Sequence, residues 1–196
     1  MERRVWRVVL RAWSEVSHAS PTQEMLESWH LEVFEGVPPC DYYAGAVRQA
    51  GTTTRPCLEY RVGVGNVEGS RPRNVKRDLR KLLREVDRRL AAVEKGWASL
   101  SLDKRVVEIA TVIGTAVGWF IKIHPFVNGN GRLSRILWRA LLKRYDLPPQ
   151  MPVLEHPPGP VYDALMAAAM QGNYAPVVRH VYQTLRGAPH KPTLRS

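Results

Sequence analysis

The chain has 196 residues, of which 44% are hydrophobic, and this composition suits one domain with an ordinary buried core and an appended N-terminal segment. Its two cysteines, Cys40 and Cys57, fit neither a disulfide framework nor a zinc site, so a reduced cytoplasmic setting is expected. The 29 basic and 18 acidic residues give a formal net charge of +11, which leaves nucleic acid open as a partner.

Helical periodicity dominates the first part of the chain, where apolar residues recur every three to four positions. The first apolar stretch is interrupted by Arg7, Arg11 and Glu15, so it predicts an amphipathic helix and not a signal peptide. In chain order, this part is predicted to contain helices over Arg4–Ser17, Thr22–Phe34 and Tyr42–Gln49, a strand over Leu58–Val64 and a hairpin turn between Gly63 and Gly69.

The rest of the chain is predicted to be mainly helical. Val106–Ile123 is long and apolar but contains Glu108 and Lys122, so it predicts the buried central helix of a bundle and not a membrane span. Gly114 and Gly118 are four residues apart in it and indicate close helix packing. The predicted helices run from Asn74 to about Glu94 and over Asp103–Ile123, Gly129–Tyr145, Val161–Met170 and Tyr174–Leu185, followed by a mobile tail from Gly187.

Much of the positive charge lies between Arg71 and Arg89, where basic residues alternate with apolar ones at helical spacing. This pattern predicts an amphipathic helix with a basic outer face, which we interpret as a solvated surface. Two alternatives remain open: the face docks an acidic protein, or it binds nucleic acid through Arg77, Arg80 and Arg84.

The residues best suited to chemistry are concentrated in one segment, His-Pro-Phe-Val-Asn-Gly-Asn-Gly-Arg-Leu-Ser-Arg, from His124 to Arg135. Gly129, Asn130 and Gly131 tolerate a strained backbone that turns several N–H groups toward one point. The helix predicted after them places these groups at its N-terminus, where the helix dipole favours an anion. The segment therefore predicts a phosphate-binding loop.

Three charged or titratable side chains flank this loop. Arg132 and Arg135 are three residues apart, so they lie on one helix face, and two guanidinium groups beside an anion site suit a chain of phosphates. His124 precedes the loop, and its ordinary pKa makes it the natural proton acceptor near neutral pH.

This segment resembles the signature of the Fic/Doc (Fido) family, His-Pro-Phe-x-Asp/Glu-Gly-Asn-Gly/Lys-Arg-x-x-Arg. The stretch Gly45–Arg48 and the strand-like Leu58–Val64 are similar to the β-hairpin flap of that family. The resemblance implies an all-α, Fic-type helical bundle with a β-hairpin flap. The resemblance covers a core over residues 42–186, which an N-terminal helical extension over 1–41 precedes and a mobile tail over 187–196 follows.

The family resemblance implies a protein adenylyltransferase, which transfers AMP from ATP to a Ser, Thr or Tyr hydroxyl of a target protein with the help of Mg²⁺. His124 would deprotonate the hydroxyl, and the flap would align the target backbone by strand addition. The implied nucleotide-binding residues are Asn128, Gly129, Asn130, Gly131, Arg132 and Arg135. The implied target-binding residues of the flap are Leu58, Tyr60, Val62 and Val64.

Asn128 departs from the family signature, which has an acidic residue at this position that binds Mg²⁺. An amide offers only a neutral oxygen to a hard cation, so Asn128 is a weak metal candidate. Three outcomes remain open: Mg²⁺ held mainly by the ATP phosphates with reduced activity, a dispensable or replaced metal, or a different donor. Gly131 replaces the lysine of the phosphorylating, Doc-type variant and favours AMP transfer.

Other functions remain open as well. Asn128 is also compatible with a nucleotide-binding regulator that has lost transfer, or with a phosphotransferase or another nucleotidyl transferase of the same fold. The inhibitory Ser/Thr-x-x-x-Glu-Gly/Asn motif of the family is not recognised, which leaves either no inhibition in cis or a separate antitoxin-like inhibitor. The expected location is the cytoplasm, with a secreted effector as the alternative, and no membrane partner is expected.

Overall fold

A computed structural model describes residues 2–37, 39–147 and 160–186. The described chain forms a helical bundle with one small hairpin, which confirms the predicted fold class. The helices are α1 (Glu2–His18), α2 (Gln23–Phe34), α3 (Pro72–Gly96), α4 (Leu102–Ile123), α5 (Asn130–Arg144), α6 (Pro160–Met170) and α7 (Ala175–Arg186), and the strands are β1 (Gly63–Val64) and β2 (Val67–Glu68). The predicted mobile tail, residues 187–196, lies outside the described residues.

Helix α4 is the central element of the bundle. The hydroxyl of Ser101 caps its start by accepting a hydrogen bond from the Lys104 N–H at 3.5 Å. The helix packs against α3, α5, α6 and α7, and most of its apolar residues are buried. It is the one helix within the described residues that is long and apolar enough to cross a membrane, but most of that stretch is buried inside the fold. The structure thus confirms the predicted central helix.

The two glycines of α4 permit a close approach of the C-terminal helix. A Cβ at Gly118 would lie 2.9 Å from the ring of Tyr174, and a Cβ at Gly114 would overlap the backbone of Val178 in α7. Real Cβ atoms are not found this close to such atoms, so both positions require the absence of a side chain. Close packing is therefore the reason for this pair of glycines, as predicted.

The N-terminal helices share the same core. Helix α1 packs against α5, and its apolar face (Val5, Val8, Val9, Ala12 and Val16) is completely buried. Arg144 of α5 strengthens this contact because its guanidinium donates to the Val16 carbonyl at 2.6 Å and also pairs with Glu94 of α3. The proposed boundary near residue 41 stays a prediction, but the segment before it is packed as part of the bundle.

The segment between α2 and α3 differs from its prediction in two ways. Tyr42–Gln49 forms turns and extended backbone, not a helix, because Gly45 has a left-handed φ of 76° and the N–H of Arg48 donates to the distant Pro125 carbonyl. The predicted strand over Leu58–Val64 is reduced to Gly63–Val64, since Pro56–Glu59 forms a 3-10 turn.

The predicted hairpin turn is present. Gly63 pairs with Glu68 and Val64 with Val67 in antiparallel register. We call residues 60–70, which contain this hairpin and its two flanks, the flap.

The two cysteines are joined by a disulfide, which contradicts the expectation of unpaired thiols. Cys40 follows α2, and Cys57 lies in the 3-10 turn that precedes the flap. The fold brings their Cα atoms to 6.7 Å although they are 17 residues apart. Sequence spacing alone does not reveal such a distance, because the intervening turns fold back on themselves.

Candidate active site

The motif loop, residues 124–129, connects the C-terminus of α4 to the N-terminus of α5. His124 ends α4 in the left-handed region, with φ 52° and ψ 59°, and its N–H still donates to the Phe120 carbonyl. A left-handed residue at this position reverses the chain directly after the helix. The side chain of His124 is therefore held at the end of the central helix of the bundle.

The geometry of His124 suits a general base. Its Nδ1 lies 3.2 Å from the Ile121 carbonyl, which can only accept, so Nδ1 carries the proton in the neutral imidazole and Nε2 presents the lone pair. Burial lowers the pKa of His124 below its usual value, and the nearby Arg48 charge lowers it further. The imidazole is consequently neutral at physiological pH.

Asn130 holds the motif loop in shape. Its side-chain oxygen accepts from the Phe126 N–H at 2.9 Å, and its side-chain amide donates to the Phe126 carbonyl at 2.8 Å. Both ends of this buried side chain are therefore used inside the protein. The Asn130 side chain thus shapes the loop, and its assignment to nucleotide binding stays a prediction.

Gly129 and the start of α5 have the geometry that the predicted anion site requires. Gly129 has a φ of 78°, and a Cβ at this position would overlap the ring of Phe34. Because α5 begins at Asn130, the N–H groups of Asn130, Gly131 and Arg132 have no helical carbonyl before them to bond. These N–H groups, together with the helix dipole, create a site for an anion.

The two arginines lie on the first turns of α5. Arg135 is 5% exposed, and its Nη1 would lie 3.5 Å from a Cβ at Gly131, so its guanidinium folds back over the start of the helix. The guanidinium of Arg132 lies 5.6 Å from the centre of the Phe34 ring. Burial, followed by the charge of Arg135, lowers the pKa of Arg132. The structure thus brings both charges to the helix end that carries the N–H groups.

Asn128 is exposed, and its side-chain oxygen accepts from the Gly129 N–H at 2.7 Å. Within the described residues, no three His, Cys, Asp or Glu side chains are grouped so as to hold a metal ion. One neutral oxygen that already accepts a hydrogen bond does not provide a resident Mg²⁺ site. Asn128 therefore stays a weak candidate for holding a metal ion.

His30 of α2 is a site residue that the sequence reasoning missed. Its Nδ1 accepts from the Gly45 N–H at 2.9 Å, so Nε2 carries the proton and donates to the Asn128 carbonyl at 3.0 Å. Its ring stacks on Phe126, with the centroids 4.0 Å apart. Burial lowers the pKa of His30 to about 4. The sequence feature that could have indicated this role is a histidine on the buried face of a predicted helix.

The flap lies beside the motif loop across a cleft. A cavity of about 600 Å³ is lined by Pro39, Tyr60, Arg61, Val62, Val127 and Asn128. Tyr60 and Val64 are 53% and 42% exposed, whereas Leu58 is completely buried in the 3-10 turn and belongs to the core. Of the four flap residues that were predicted to bind a target, Leu58 is thus unable to contact one in this arrangement.

The comparisons with known proteins agree with this geometry. The model of the Fic/DOC family matches residues 20–142, which include α2, the flap and the motif loop. The chain belongs to the Fic/DOC family. The matched region starts inside the segment that was assigned to an extension. A comparison with curated proteins yields no match.

Two solved structures share the Fic fold with this chain. The BepC protein of Bartonella tribocorum, a VirB-translocated effector crystallised with bound AMPPNP, is 19% identical, with a TM-score of 0.53 over 93% of this chain and 84% of that chain. The N-terminal Fic domain of a VirB-translocated Bep effector of Bartonella quintana is 20% identical, with a TM-score of 0.51 over 93% and 80%. Likeness at this level of identity concerns the fold.

Proposed function

We propose that this Fic protein is a protein adenylyltransferase that transfers AMP from ATP to a Ser, Thr or Tyr hydroxyl of a target protein. The observation that carries the proposal is the position of His124. This neutral imidazole precedes a helix N-terminus where the backbone N–H groups of the first turn lie beside two guanidinium groups. A base beside a polyphosphate site is the arrangement that hydroxyl attack on a phosphate requires.

The reaction balances with groups of this chain and its two substrates. The target hydroxyl gives its proton to Nε2 of His124, and its oxygen forms a bond to the α-phosphorus of ATP. The bond from that phosphorus to the bridging oxygen breaks, and pyrophosphate leaves with the electron pair. Arg132, Arg135 and the backbone N–H groups at the start of α5 hold the phosphates and stabilise the charge that develops. Positioning and charge stabilisation supply most of the rate in such transfers.

The open cleft beside the motif loop supports a protein substrate. Tyr60 and Val62 line it from the flap, and β1 and β2 contain only two residues each. A target segment that adds to the edge of this hairpin would place its hydroxyl at the loop, since strand addition is a recurring mode of peptide recognition. Mg²⁺ enters this scheme bound to ATP as part of the substrate.

Labelling with α-³²P-ATP and, in parallel, γ-³²P-ATP tests the proposal. Wild-type protein, Mg²⁺ and a cell lysate should give a labelled protein band from the α-label alone, and His124→Ala should abolish it. Label from γ-³²P-ATP alone would identify a phosphotransferase and contradict AMP transfer. Absence of both labels, with ATP binding retained, would also contradict it.

The second candidate is a nucleotide-binding regulator that does not transfer AMP, and the neutral side chain of Asn128 favours it. Asn128→Asp distinguishes the two functions because a carboxylate adds the charge that Mg²⁺ prefers. A variant that labels targets where the wild type only binds ATP would support the regulator. For a wild-type transferase we expect Asn128→Asp to raise the rate and lower the Mg²⁺ concentration needed.

The proposed partners are the target protein and a separate small inhibitor of the antitoxin type. We propose the cytoplasm as the place of action, either in the producing cell or after secretion. The description of both structural neighbours as translocated effectors supports the second possibility. Isolation of a tagged, full-length chain from its own cells would reveal a bound inhibitor by mass spectrometry.

A further inference from the structure

Arg48 is a buried cation that the proposed reaction leaves without a role. Its side chain is among the largest fully buried ones in the described part of the chain, with 1% exposure. Burial lowers the pKa of Arg48 to about 10, so the guanidinium still carries its charge at neutral pH. A buried charge is costly unless its donors are used.

The donors of Arg48 are used on four backbone carbonyls. Nε donates to His124 at 2.8 Å, and Nη1 donates to Tyr60 at 3.2 Å. Nη2 donates to both Ser70 at 2.8 Å and Ile123 at 3.0 Å. Two of these carbonyls belong to the C-terminal end of α4, and the other two mark the first and last residues of the flap. One guanidinium thus joins both ends of the flap to the end of the helix that carries the base.

Backbone hydrogen bonds also connect the flap to the end of α4 around this side chain. The N–H of Ser70 donates to the Ile123 carbonyl at 3.0 Å, and the N–H of Gly69 donates across the flap to Val62 at 2.9 Å. A Cβ at Gly69 would lie 2.6 Å from the Cβ of His124 and 3.3 Å from Nη2 of Arg48. The returning flank of the flap therefore lies directly against the catalytic histidine, and a side chain at Gly69 would separate them.

The charge of Arg48 also suits its location. The last carbonyls of a helix carry partial negative charge, and a cation there is favourable. Glu68 of the flap supplies a further negative charge in the neighbourhood, and its effect on the pKa of Arg48 is upward. A planar guanidinium can donate hydrogen bonds to carbonyls on several sides at once, which the compact ammonium group of lysine cannot do.

We propose that Arg48 is the positioning residue that couples the flap to His124, so that a target segment held by the flap presents its hydroxyl to the base. This inference rests on the proposed function as far as the target is concerned, but the coupling itself is a property of the protein alone. Arg48 acts through backbone groups and contacts no reacting atom.

The test compares Arg48→Lys with the wild-type, full-length protein. Lysine keeps the charge but cannot donate to all four carbonyls that the guanidinium binds. We therefore expect amide hydrogen exchange at Gly69 and Ser70 to become at least about tenfold faster. Exchange at Leu133, which donates to the Gly129 carbonyl, should not change, and ATP binding should stay within about twofold, since the anion site does not involve Arg48. Arg55→Lys, an exposed arginine just before the flap, is the matched control.

Kinetics provides the second measurement. With the labelled target as substrate, Arg48→Lys should lower kcat/KM for the target by at least about tenfold, whereas the KM for ATP stays near the wild-type value. Unchanged exchange at Gly69 and Ser70 would overturn the proposal. Equal acceleration at all amides, including Leu133, would also overturn it, because Arg48 would then only stabilise the fold.

The two measurements separate this inference from the proposed function. If the wild-type protein transfers no AMP, the proposed function fails, but selective exchange at the flap would still establish the coupling. If AMP transfer is observed and Arg48→Lys behaves as wild type in both measurements, the coupling fails alone. Arg48→Met, which removes the charge as well, should accelerate exchange at the flap more than Arg48→Lys.

Discussion

The motif loop and the flap border the same cleft, but different kinds of contact hold them. Inside the loop, Asn130 bonds both backbone groups of Phe126 only four residues away, and His124 continues the hydrogen-bonding pattern of α4. The flap has two residues in each strand, and its ends are fixed by Arg48, which lies outside it. The loop is held by these local contacts and by His30, which favours a rigid loop. The flap is anchored at its two ends, and its two-residue strands favour movement of the tip between them.

The largest expected effect concerns the rigidity of the loop. Gly129→Ala should reduce the free energy of unfolding by ~2–4 kcal/mol, because alanine is strained at φ 78° and its Cβ would overlap Phe34. Urea denaturation measures this loss. Gly131→Ala is the matched control for stability, since its Cβ would meet only Arg135 at an ordinary 3.5 Å. Equal stability of the two alanine variants would show that the loop is as adjustable as the flap.

The next effect is a pH dependence that comes from His30. Its pKa is about 4 in the folded protein and near 6.5 in the unfolded chain, so the unfolded state takes up the proton first as the pH falls. The stability is therefore complete above pH 6.5, and about 3 kcal/mol is lost by pH 4. Burial also lowers the pKa of His124 and His180, which adds to the slope in the same direction.

Urea denaturation of the wild type and His30→Gln between pH 7 and pH 4 isolates this contribution. The variant should show a smaller loss of stability on acidification than the wild type does. His18→Gln, at an exposed position of α1, should follow the wild-type curve. A His30→Gln curve parallel to the wild type would mean that His30 does not hold the loop in its neutral form.

The smallest expected effect on stability concerns the flap. Tyr60 is 53% exposed, and its link to Arg48 uses only the backbone carbonyl, so Tyr60→Ala should change the free energy of unfolding by less than about 0.5 kcal/mol. Because Tyr60 lines the cleft, the KM for the target should increase several-fold. A large loss of stability with an unchanged KM would show that the flap, like the loop, mainly stabilises the fold.

The same distinction explains what the sequence could predict. The fold class, most helix ranges and the residues of the loop followed from patterns within short stretches, such as the spacing of Arg132 and Arg135 on α5. Arg48 and His30 bond to residues 75 and 98 positions away in the chain, and the disulfide joins two separate turns. No local pattern encodes such distances, and for this reason the predicted helix over Tyr42–Gln49 was wrong.

The position of His124 affects the order in which target binding and catalytic geometry are lost as the protein unfolds. His124, the proposed base, stands at the end of α4, which packs against α3, α5, α6 and α7, so we expect it to stay in place when the surface opens locally. Protection of an amide group usually follows the stability of the element that contains it. On gradual heating, we therefore expect target binding to be lost before the position of the His124 imidazole changes. The proposed catalytic activity should disappear only when the core unfolds cooperatively.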